Sequence, residues 1–316
     1  MKKRLIFLSA ILASSLILSP SINTMISAEE SSSESTKESS SEASSEKSSE
    51  QDSASNETPE IKKVVLFDEK DIEVTAESLE FTSHGLILNL LIENNSKEDL
   101  NFIVRNANLN RVGVGSFVNE TLAAGKKSKV KMDYYNDYNL VDVSKTAIID
   151  FNMSVSKNDD SPYVDDIPVE IKTNLYKENE SYLPKPFYDK DQIKIYNLGL
   201  VETKYDKGIA LVFENDSDKT YSISSEETYL NGFSLSSMFI YLDSPSKSYT
   251  TVLARINDKS LTEADLKSLD EIEEFELKFS TTENNDYSTK KESDLIKLNL
   301  KSGEVETETE VSSETK

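Results

Sequence analysis

Cysteine is missing from all 316 residues, and histidine occurs once, at position 84. Without thiols the chain forms no disulfides, and one imidazole alone builds neither the usual zinc site nor a Ser-His or Cys-His nucleophile pair. A glycine-rich phosphate loop, an H-E-x-x-H motif and a nucleophile elbow are all lacking from the sequence. His84 stands beside Gly85 and reads as a solvated turn residue. Glu226-Glu227 and Glu273-Glu274 are pairs of the type glycoside hydrolysis uses, yet neighbours on a strand point to opposite faces. These gaps point to a non-catalytic protein without a cofactor. The alternative is a carboxylate-dependent extracellular hydrolase.

Basic charge is also scarce: 35 Lys and Arg face 58 Asp and Glu, for a net charge of −23. Residues 61–300 alone keep −15 of it. A phosphate-binding protein needs a basic footprint, so nucleic acid and anionic membranes are poor partners. Long apolar runs are confined to one place. Met1-Lys2-Lys3-Arg4, the stretch Leu5–Leu18 and the exit Ile26-Ser27-Ala28 read as a signal peptide over 1–28, too short in its apolar part to span a bilayer comfortably. An uncleaved anchor is the alternative. The expected location is extracellular, secreted or loosely surface-associated, with no membrane insertion once the signal is removed. An exported chain without cysteine fits a Gram-positive bacterium better than an animal secretory pathway, and it lacks the cysteine that a lipoprotein acylates.

Residues 29–60 hold 13 Ser and almost no large apolar side chain. Such a segment cannot offset its chain entropy by burial, so it is expected to be a disordered linker. The acidic residues 302–316 read as a similar tail.

Between the tails the chain repeats itself. Phe67-Asp68-Glu69-Lys70-Asp71-Ile72 matches Tyr188-Asp189-Lys190-Asp191-Gln192-Ile193, Glu93-Asn94-Asn95-Ser96 matches Glu214-Asn215-Asp216-Ser217, and Asn110 matches Asn231, each 121 residues on. A period of that length is one domain per repeat. Apolar alternation at Leu86, Leu88, Leu90 and Ile92, with Ile87 and Leu91 opposite, predicts a central strand covered on both sides; Ile209, Leu211 and Phe213 repeat it. Phe151, Met153 and Val155 predict another strand, with Phe275, Leu277 and Phe279 as counterpart, and Val169-Ile171 and Ile296–Leu300 close the two units.

Turns are expected at Gly85, Gly125, Gly208 and Asn231-Gly232. About seven strands per unit predict an all-β chain of two tandem immunoglobulin-like β-sandwiches, over 61–175 and 187–301, joined by a stiff linker over 176–186. Each carries one short helix. Thr262–Asp265 resembles a capping box leading into Leu266, Leu269 and Ile272, with a weaker helix near Val141–Lys145.

The Glu-Asn-Asn-Ser and Glu-Asn-Asp-Ser strand ends, Asn110 and Asn231-Gly232, the Ala123-Ala124-Gly125-Lys126 turn and the Phe151 and Phe275 strands resemble an uncharacterised family. Its members are immunoglobulin-like repeats in secreted proteins and lipoproteins of low-GC Gram-positive bacteria. The second unit departs from it, with Pro245-Ser246-Lys247 where the first has Gly125-Lys126-Lys127. The resemblance implies a scaffold and lends no catalytic residues.

Two clusters are candidate sites. Asp159, Asp160, Asp165 and Asp166 bracket Pro162 and offer oxygen ligands for calcium, with Asp216 and Asp218 as a second set; ordinary solvated acidic loops are the alternative. Tyr134, Tyr135 and Tyr138, beside Asn136 and Asp137, are candidates for stacking on a sugar or anchoring a protein, unless two of them belong to the core. The expected partner is a protein or a cell-wall polymer, met by a monomer.

Overall fold

The computed structural model describes residues 57–308, apart from 83, 84 and 137. The expected signal peptide, most of the Ser-rich linker, His84 and the chain beyond 308 lie outside the described residues. The protein is all-β, with four antiparallel sheets forming two immunoglobulin-like sandwiches. In the first, the strands Val64–Glu69, Ile72–Thr82, Gly85–Asn94 and Lys126–Tyr135 make one sheet in that order. The facing sheet runs Leu100–Leu109, Ile148–Lys157, Pro162–Lys172, with Val112–Gly113 and Val118–Leu122 on the outer side of the first strand.

The second sandwich uses the same crossings. Tyr188–Lys190, Ile193–Glu202, Lys207–Asn215 and Ser248–Arg255 form one sheet, and Tyr221–Leu230, Glu274–Glu283 and Leu295–Asn299 the core of the other. In both, the chain changes sheet between the third and fourth long strands and returns to pair with the third, a Greek-key path.

The alternating side chains explain the layers. Leu86, Leu88, Leu90 and Ile92 face Phe102, Phe151 and Met153 in a dry first core, while Leu211 and Phe213 meet Phe275 and Leu277 in the second. Ile87 and Leu91 are half-buried, so the outer face of the first central strand is only partly covered. The second is covered on both faces: Val212, on its outer side, is fully buried and joins Tyr196 in the first sandwich's core cluster. Gly85 and Gly208 open these two strands, where an added Cβ would lie 2.1 and 2.2 Å from the carbonyl oxygens of Tyr134 and Ala254. Each marks a close backbone approach.

Positions spaced 121 apart make the same bonds. Asn94 donates to the carbonyls of Glu98 and Leu122 while its oxygen accepts from Ser96, and Asn215 does the same with Lys219, Ser244 and Ser217. Asn110 and Asn231, both at positive φ, accept from two backbone amides each, of 147 and 148 and of 273 and 274. Ser248 pairs with Asn215 as Lys126 pairs with Asn94, so Lys247, and not Pro245, is the counterpart of Gly125 and takes its left-handed turn position, which corrects the expected match by two residues.

Four other expectations need correction. The helix lies over Asp258–Glu263, one turn earlier than the Thr262 box, because Asn257 and Ser260 cap each other and Asp265 leaves at φ 55°. Phe151 does not correspond to Phe275: Ile149 sits opposite Leu109 and Phe275 opposite Leu230, so Leu277 is the counterpart of Phe151. The acidic tail does not begin at 302, because Val305–Glu308 pairs with Leu295–Asn299. At the matching edge of the first sandwich Pro168 stands where Leu295 pairs with Glu308, and it has no N–H to give to an added strand. Within 176–186 Tyr176 stacks on Tyr182, and Leu183 packs into the first core. The weaker helix near Val141 is one 3-10 turn, Val143–Lys145.

Candidate functional site

The candidate site lies where the sandwiches meet. Asn108, Asp150 and Glu170 are cross-strand neighbours on the outer face of the first sandwich's second sheet. The alternation that aims Ile149 and Phe151 inward aims Asp150 away from that core. Asp150 is nonetheless buried, because strand Ser248–Arg255 of the second sandwich covers it. Gly113 donates its backbone N–H to the Thr251 hydroxyl at 2.6 Å, and an added Cβ there would come within 2.7 Å of Thr251 Cβ. Asn108 Nδ2 donates to Asp150 Oδ1 at 2.7 Å and to the Tyr249 carbonyl at 3.2 Å.

Arg111 completes the junction. Its guanidinium holds Asp150 Oδ2 at 3.2 Å, bonds Glu170 Oε2, and lies 4.8 Å from the Tyr249 ring centre. Burial pushes the Asp150 carboxyl up to about 6, outweighing the opposite pull of Arg111 and Asn108. Burial works against the charge on Arg111, but Asp150 and Glu170 hold its pKa above the ordinary value. Across the junction the Tyr196 hydroxyl donates to Glu214, whose other oxygen pairs with Lys194 at 3.0 Å. Burial and then that carboxylate raise the Tyr196 pKa.

Beside the junction a cleft of about 450 Å³ opens between the sandwiches. Arg105, Asn106, Asn152 and Ser154 form the wall from the first; Thr220, Ser222, Asp243, Asn284 and Asn285 form the wall from the second. A β-bulge between Arg105 and Asn108, with Asn106 at φ 50°, shapes the first wall. The opposite rim is a tight hairpin turn with Asn284 and Asn285 at φ 47° and 62°. The Ser222 hydroxyl lies 2.7 Å from both Asp243 Oδ1 and Asn285 Oδ1.

The three tyrosines do not form one patch. Tyr134 is 1% exposed and its pKa is driven well up by burial and then by Asp150, so it is core and unavailable to a partner. Tyr135 is exposed, and Tyr138 turns to the junction, its hydroxyl 3.5 Å from Asp206, which also pairs with Arg255 at 2.8 Å. Asp159 accepts from the backbone and hydroxyl of Ser161, which lowers its pKa, and Asp160 occupies the turn at φ 61°. The side chains of Asp165 and Asp166 lie outside the described residues. Asp216 and Asp218 pair with Lys247. Among the described residues no group of three or more His, Cys, Asp or Glu side chains is placed to hold a metal ion. Glu226, Glu227, Glu273 and Glu274 each pair with a lysine, Lys290, Lys278, Lys301 and Lys297.

No family model matches the chain, and no curated protein is significantly similar to it. Among solved structures, a crystal structure of the YadV chaperone is 15% identical over 68% of this chain and 92% of that one, with a TM-score of 0.21. Red sea bream transglutaminase is 11% identical over 72% of this chain and 31% of its own, also at 0.21. Likenesses at that level carry no argument about function.

Proposed function

We propose that this is an exported, non-catalytic binding protein of a Gram-positive bacterium, acting as a monomer at the cell surface or in the medium. Two copies of one immunoglobulin-like unit, related to the repeat family named above, make its body. The observation that carries the reading is the polar cleft between sandwiches docked through a buried ionic junction. Its walls offer amides, hydroxyls and one guanidinium, groups that recognise a polar ligand by hydrogen bonds. Asp243 is the one carboxylate in that lining, whereas glycoside hydrolysis uses two. The signal-like N-terminus and the Ser-rich segment after it support export, and the acidic charge favours a protein or wall polymer over nucleic acid.

The test is co-sedimentation of the purified protein with isolated wall sacculi across a salt series. Saturable pelleting supports a wall-associated module. A protein left in solution at every salt concentration overturns the wall reading and turns the search to soluble proteins.

A further inference from the structure

We propose that the cleft takes the end of a peptide, with Arg105 binding its free C-terminal carboxylate; this rests on the binding-protein reading above. Three arginines are described. Arg111 and Arg255 are ion-paired, whereas Arg105 makes no ion pair among the described residues, in a chain whose acids outnumber its bases by 23. Arg105 is also the one cation in the cleft's lining, so an anionic group entering the cleft meets it. The bulge at Asn106 explains its position, because the register shift between Arg105 and Asn108 breaks the regular alternation of the strand.

A guanidinium presents a planar fork that matches both oxygens of a carboxylate. The amides around it extend the match. Each of Asn106, Asn284 and Asn285 pairs a donor with an acceptor in one plane, which is also what a peptide group presents. The side-chain amides of Asn106 and Asn284 make no hydrogen bond among the described residues, so they are available to a ligand. The volume, about 450 Å³, lies within the range of about 300–1,000 Å³ usual for small-ligand sites and suits a chain end rather than a folded partner.

The experiment titrates the full chain with three short N-acetylated peptides, trialanine and its variants with a central phenylalanine or lysine. Each is used as the free carboxylate and as the C-terminal amide. Binding is read by calorimetry and by chemical shifts of cleft residues. At least one carboxylate should bind in the cleft, with its amide at least tenfold weaker, and Arg105→Gln should abolish the difference without moving the melting temperature. The inference is overturned if no carboxylate binds, if acid and amide bind alike, or if Arg105→Gln binds as the parent does. Sacculi pelleting separates the two levels: a cleft indifferent to peptides in a protein that still pellets removes this inference alone, and failure of both removes the wall reading too.

Discussion

Replacing Arg111 by methionine should strip Asp150 of its cation while leaving it under the second sandwich. The side chains of the two are 20% and 10% exposed, so the pair is largely desolvated. Removing one partner of a buried pair costs about 3–5 kcal/mol, chiefly the cost of the charge left behind. The lower end, about 3 kcal/mol, fits here because Glu170, the other partner, is 40% exposed and rehydrates. The cost should depend on pH with a definite sign. Asp150 is held up from 3.8 to about 6, so the folded state binds this proton more tightly than the unfolded chain does. Its contribution to stability is therefore full below the ordinary carboxylate pKa and lost as pH rises through about 6, a change of at most about 3 kcal/mol.

Without Arg111 the carboxyl is easier still to protonate. The variant should lose about 3 kcal/mol at about pH 7.5 but only about 1 at about pH 5, each measured against the parent protein at the same pH. Urea unfolding followed by tyrosine near-ultraviolet dichroism reads both values. Arg111→Met combined with Asp150→Asn should recover most of the loss, because no charge is then stranded. Equal losses at the two pH values, or a double variant no better than the single, would refute the electrostatic account of the junction.

Other positions give independent checks. Gly113→Val pushes a side chain into Thr251 and should cost about 1–3 kcal/mol by overpacking, with faster proteolysis in 176–186 as the sandwiches separate; unchanged proteolysis would count against tight docking. Asn215→Ala takes its amide donor from the buried Ser244 carbonyl and should lower stability by about 1–3 kcal/mol, with Asn94→Ala, which does the same to the Leu122 carbonyl, matching it in the first sandwich. Tyr134→Phe should change stability by less than about 1 kcal/mol, since among the described residues its hydroxyl reaches only the Met132 sulfur, at 3.5 Å; a large loss would mean that the hydroxyl has a stronger partner.

The fold was legible where local pattern and tertiary burial agree. Alternation at Leu86–Ile92 and at Ile209–Phe213 marks central strands because both faces of a sandwich's sheet are sorted by polarity. The 121-residue spacing of Asn94 with Asn215 and of Asn110 with Asn231 located the side chains that pin the loops. The helix is ambiguous in the sequence because Thr262–Asp265 and Asn257–Ser260 both fit the pattern of a cap, and only the backbone reversal at Asp265 chooses between them. Alternation is unchanged by a slip of two, so it does not fix the register of the Phe151 strand against its counterpart, which the strand pairing shows to be shifted by two residues from Phe275 to Leu277.

The junction was not legible. Asp150 sits on the face that alternation marks as outer, and nothing local shows that a strand 100 residues later covers it. The contact of Gly113 with Thr251 spans 138 residues. A carboxylate between Ile149 and Phe151 and an arginine after Asn110 were the available signals, and neither names its partner. The tyrosine cluster misled for the same reason: adjacent residues on a strand face opposite ways, so Tyr134 and Tyr135 cannot share a surface.

A preformed cleft requires the two sandwiches to hold one fixed arrangement. The absence of cysteine makes the direct measurement clean: Phe117→Cys and Tyr205→Cys, at positions 73% and 83% exposed, place one spin label on each sandwich. Pulsed dipolar spectroscopy should return a single narrow distance distribution that broadens in Arg111→Met at about pH 7.5. A broad or multi-peaked distribution in the parent protein would contradict the account, because sandwiches that swing freely do not keep the cleft.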